Sequence, residues 1–87
     1  MLDVEHVTNY IAAASNNVMM NAGLKQSPLW LLGNHDDVDF RKLLYFTLRN
    51  QVSRIILNRT EERLITGTEA YEIGKTCESV LEEVMQR

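Results

Sequence analysis

The sequence predicts an all-α fold: a small antiparallel helical bundle of three main helices plus one short helix, completed by homodimerisation. Three observations carry that reading. Apolar residues recur at intervals of three and four along three long segments, which is the spacing of helices with one buried stripe. Breakers are scarce, with one Pro and four Gly in 87 residues. Strand alternation, hairpin turns, internal repeats and low-complexity tracts do not occur.

A chain of this length has room for a single domain, 1–87, and buries only roughly 60 to 65% of the surface its unfolded form exposes. Its 45% hydrophobic content is too high for a disordered linker. The single cysteine, Cys77, cannot close an intramolecular disulfide, which points to a reducing compartment. Acidic Asp3 and Glu5 stand where a signal peptide carries a basic region. The longest apolar run, 29–32, is far short of the roughly 18 residues of a membrane span. These features together predict a cytoplasmic protein with no membrane segment.

In the first helix, 3–22, Val4, Val7, Ile11, Ala14 and Val18 share one stripe. Asp3 is the expected N-cap, and Gly23 the left-handed residue that ends the helix. Ala12, Ala13 and Ala14 allow another helix to approach closely. Asn16, Asn17 and Asn21 mark a polar end, with Asn21 assigned to the seam, where it would fix register.

Ser27 before Pro28 signals a helix start, because Pro at the first position gives up an amide that has no partner there anyway. Gly33 is the expected stop. Leu29, Trp30, Leu31 and Leu32 make the intervening turn or two apolar on every side, so it must plug a core, its own chain's or a second chain's. Trp30 and Leu31 are therefore candidate interface residues.

Asp36, Asp37 and Asp39 then place negative charge where a helix N-terminus favours it, and Asp36 or Asp37 serves as cap. Phe40, Leu44, Leu48, Val52, Ile55 and Ile56 share a broad face of the third helix, whereas Leu43, Phe46 and Leu57 point away from it. A helix apolar on several sides is either the central strut or an element shared with a second chain, which adds Leu43, Phe46 and Leu57 to the candidate interface. It ends near 58–60 or runs on to Thr66. Thr66 and Glu69 have capping-box spacing, and Ala70, Ile73, Cys77, Val80 and Val84, widened by Leu81 and Met85, form the stripe of the last helix. Gly74 inside that helix is read as a close helix crossing.

The stretch Gly33, Asn34, His35, Asp36 resembles one metal-binding block of the metallophosphoesterases. The further Asp-x-His, Gly-Asp-x-x-Asp and Gly-His-x-His blocks that hold two metals in that family have no counterpart here. Those four residues are therefore read as helix stop, loop and acidic helix start. His6 and His35 lack metal-ligand spacing, and Cys77 occupies a core-type position with only Lys75 as a basic neighbour. No catalytic residue, metal or cofactor is assigned, and the chain is expected not to be an enzyme.

Charge is unevenly distributed about a net of −3. Between 41 and 60 there are five basic residues and no acid, and between 61 and 83 seven acids against Arg63 and Lys75. Arg41, Lys42, Arg49 and Arg59 fall on a partial stripe, with Arg54 apart. The stripe either faces the acidic last helix, in its own or a neighbouring subunit, or contacts phosphates. The acidic total favours the first. By elimination, the expected role is a non-catalytic protein-interaction module, such as an adaptor, chaperone, inhibitor or assembly factor, which pairs with itself and with another protein. The alternative is a nucleic-acid-binding regulator using the basic stripe.

Overall fold

The computed structural model describes residues 4–86, the Val4 side chain apart. The expected cap at Asp3 and the core role of Val4 lie outside what is described. Four helices follow one another: α1 (Val4–Ala22), α2 (Pro28–Asn34), α3 (Val38–Glu61) and α4 (Gly67–Met85), with no strand among the described residues. At ~1.5 Å per residue, the 24 residues of α3 nearly span the 39 Å long axis of the molecule.

The long helices form a bundle around one core, and α2 closes an end of it. Tyr45 meets Glu82, Arg49 meets Glu78 and Ile56 lies beside Gly74, so rising numbers on α3 face falling numbers on α4 and the two run antiparallel. Tyr10 of α1 sits under Arg59 near the far end of α3. Ile11, Ala14 and Val18 of α1, Leu44, Leu48 and Val52 of α3, and Ile73, Cys77 and Leu81 of α4 are buried together. Tyr10 and Tyr45 join them, although the periodicity reading passed over both. Asn21 is exposed, so the seam position expected for it is not observed. The seam ends at Val18, one helical turn earlier.

Helix ends follow the local chemistry. After α1, Gly23 is left-handed (φ 64°) and the Leu24 amide reaches back 3.2 Å to the Met19 carbonyl, satisfying a terminal acceptor. Helix α3 closes the same way without glycine. Arg63 takes φ 59°, its amide bonds the Thr60 carbonyl, and the Leu64 amide bonds that of Arg59 at 2.9 Å. A left-handed residue with a Cβ costs roughly 1–2 kcal/mol, partly offset by the chain entropy that glycine loses on folding. Arg63→Gly is therefore expected to stabilise the fold by about 0.5 to 1 kcal/mol, read as a higher midpoint in urea.

Asp37, not Asp36, caps α3, its Oδ1 accepting from the Asp39 amide at 2.9 Å and the Phe40 amide at 3.3 Å. The Thr66 and Glu69 box opens α4 with both bonds formed, at 3.0 and 3.1 Å. The bond from the Thr66 amide, and then that with its hydroxyl, hold the Glu69 carboxyl below its ordinary 4.5. A lowered carboxylate adds stability that is complete above the ordinary value and disappears as pH falls through the lowered one. Thermal melts taken from about pH 6 down to pH 3 should therefore fall less steeply in Glu69→Gln than in the parent. Equal slopes would show that the box does not carry the acid sensitivity.

Two glycines behave differently from the sequence reading. Gly33 does not end α2, which runs one residue further and has no left-handed residue there. A Cβ on Gly33 would lie 3.3 Å from both Cγ1 and the carbonyl oxygen of Val84, so this glycine lets α2 press against the end of α4. Gly74, expected at a close crossing, would meet only Cδ1 of Ile56 at 3.7 Å, an ordinary contact. Its replacement by Ala should remove the cost of a mid-helix glycine and stabilise by about 1 kcal/mol, a rise in Tm of roughly 4–8 °C. A lower Tm would mean that the site is tighter than its geometry indicates.

Candidate functional site

The surface begins with α3, whose apolar residues occupy opposite sides. One side lies in the core. On the other, Leu43, Phe46, Asn50, Ser53 and Leu57 succeed one another at spacings of three and four, which aligns them on one strip. Leu43 is 66% exposed, Phe46 53% and Leu57 57%. Phe46 is set by an edge-on contact with the buried Tyr45 ring, centroids 5.3 Å apart. Tyr45 is fixed in turn by donating 3.1 Å to Oε1 of Glu82, and burial, then that bond, raise its phenol above the ordinary range.

Ser53 and Leu57 carry the strip into a groove of about 430 Å³ between α3 and α4. Val52, Ile56, Cys77 and Leu81 line it together with Tyr71 and Gly74. At Gly74 the groove is lined by backbone without a side chain. Arg49 and Glu78 form an ion pair at 3.6 Å on its rim, and Lys75 lies over the exposed Tyr71 ring at 5.8 Å. Burial pushes the Cys77 thiol up to about 11, so at neutral pH it is a protonated core group and not a nucleophile.

The expected interface residues do not all share this surface. Leu43, Phe46 and Leu57 do. Trp30, 53% exposed, borders a separate depression with Leu29, Gly33, Asn34 and Val84. Leu31 is only 7% exposed and belongs to the chain's own core, because the run 29–32 plugs this bundle with Pro28, Leu31 and Leu32 and turns Trp30 outward. Tyr71, Gly74 and Ser53 were missed by sequence reasoning. For Tyr71 and Gly74 the available signal was their three-four spacing with Glu78, on the edge of α4 next to its stripe.

Of the basic stripe, only Arg41 is drawn into the fold, while Arg49 and Arg59 stay exposed beside partners on the surface. Arg41 donates through Nε to the Leu32 carbonyl at 3.1 Å and through Nη2 to the Met85 carbonyl. Arg49 pairs with Glu78, and the Arg59 guanidinium lies 5.1 Å from the Tyr10 ring centroid. Lys42 is exposed. The stripe thus meets the acidic helix of its own chain at Glu78. The His35 region is a capping turn, in which His35 Nδ1 accepts from the Asp37 amide at 3.0 Å and the ring packs on Phe40. Among the described residues, no group of three or more His, Cys, Asp or Glu is placed to hold a metal ion. None of the described helices is long and apolar enough to cross a membrane.

No family model, curated protein or solved structure matches this chain.

Proposed function

We propose that this chain is a non-catalytic protein-interaction module that acts as a homo-oligomer, with the outer strip of α3 and the α3/α4 groove as its docking surface. One observation carries the reading: a strip with exposed Leu43, Phe46 and Leu57 around a polar centre runs into a largely apolar groove on the outside of a bundle whose core is already closed without it. A largely apolar groove between two helices, beside exposed Leu and Phe side chains, fits the mode in which an amphipathic helix lays its apolar face into a groove. An exposed aromatic such as Phe46 is of the kind enriched in interfaces. The nucleic-acid alternative would use the same helix, where Arg41 is bonded to two carbonyls while Arg49 and Arg59 stay exposed beside Glu78 and Tyr10.

The reading is tested with tagged chain as bait in its native host, beside the double variant Phe46→Glu, Leu57→Glu. Both positions are half-exposed, so the variant should keep the parent's circular dichroism spectrum. Proteins that co-purify with the parent should be absent with the variant and persist at high salt. Capture that is indifferent to the two substitutions would remove this surface from the function. Binding to a DNA duplex that weakens steeply with salt and requires Arg49 would favour the nucleic-acid reading instead.

A further inference from the structure

We propose that the occupant of the groove is α3 of a second copy of this chain, running antiparallel to the first about a two-fold axis that passes between Asn50 and Ser53. The proposal rests on the interaction reading above and names its partner. In heptad terms, the outer strip places Leu43, Asn50 and Leu57 at a and Phe46, Ser53 and Thr60 at d. In an antiparallel pair, a residues layer against d residues of the other helix. An axis between Asn50 and Ser53 then sets Phe46 against Leu57 of the other copy, and Leu57 against Phe46. The two central layers each pair Asn50 with Ser53, an amide with a hydroxyl, and so offer every polar group in the middle a donor or acceptor. The strip is thus complementary to itself when reversed, which is what a two-fold interface requires.

Charge is compatible with the same arrangement. Residues 41–60 carry five cations and no acid, so two α3 helices side by side in isolation would repel. Seating each α3 in the other copy's groove sets it against α4 as well, whose groove edge carries Glu78, shared with Arg49 of its own chain, with Glu82, which accepts from Tyr45, one turn beyond. The basic helix of each copy then meets the acidic helix of the other. Gly74 gains a reason it lacks within the chain. It holds the groove floor open, and its own neighbours do not need it to be glycine.

Sedimentation velocity on the full chain at micromolar concentration should give twice the 10.0 kDa mass. Asn50→Cys and Ser53→Cys chains, differing in tag length, are then mixed and oxidised. The buried Cys77 is a poor competitor for the oxidant. The mixed disulfide should dominate over either self-linked product. Gly74→Ala should raise the thermal stability of dilute protein while weakening association by about tenfold, a split that a purely structural glycine does not give. A monomer at all concentrations, self-linked Asn50→Cys as the main product, or unchanged association in Gly74→Ala would each overturn the proposal. A monomer that still captures another protein in a Phe46-dependent way would overturn self-pairing, here and in the functional reading, and leave only the docking of another protein on this surface standing.

Discussion

Leu48→Ala is expected to lower the free energy of unfolding by about 3 kcal/mol, within the range found when a fully buried leucine leaves a cavity. Leu48 is 0% exposed and sits midway along α3, on the face that turns towards the other long helices. Side chains on three helices cannot all move in to fill the space. A domain of this size has only roughly 5–15 kcal/mol in hand, so Tm should fall by on the order of 15 °C. Leu43→Ala, on the same helix but 66% exposed, is the control. At dilutions where association does not contribute, it should change stability by less than about 0.5 kcal/mol. Urea unfolding followed by circular dichroism measures both. If the two substitutions cost the same, the division of α3 into a core face and an outer face is wrong.

Arg41→Ala should cost about 2 kcal/mol, although the residue is charged and only half buried. The last carbonyls of a helix have no partner within it, and Arg41 bonds one in the final turn of α2 and the last of α4. Its positive charge also stands at the negative ends of two helix dipoles. One guanidinium therefore fastens two helix ends to the start of α3. Arg41→Lys should recover less than half of the loss, since a single ammonium does not reproduce a planar fork that serves two acceptors at once. Equilibrium unfolding of the two variants checks this. Full rescue by Lys would reduce the contact to simple charge. The same geometry assigns to the fold a residue that its sequence neighbourhood made a phosphate candidate.

The sequence by itself determined the helices, several of their ends and most of the core. Three-four spacing identified Ile11, Ala14 and Val18, then Leu44, Leu48 and Val52, then Ile73, Cys77 and Leu81, because a buried stripe imposes its period on the residue order. Gly23, Pro28 and the Thr66 and Glu69 pair act within one turn of chain, so local chemistry alone places them. It also separated Leu43, Phe46 and Leu57 from the core face of α3. Tertiary structure decided what depends on approach between distant segments. Only packing shows that Gly33 is small for the sake of Val84 and that nothing in the chain crowds Gly74. Only packing turns Trp30 outward while Leu31 goes in, since a short helix apolar on every side has no periodicity to orient it. Arg41, Arg49 and Arg59 read alike as one stripe along the chain, yet they meet two carbonyls, a carboxylate and an aromatic ring. Those partners lie 9 to 49 residues away in sequence, beyond the reach of any pattern along α3.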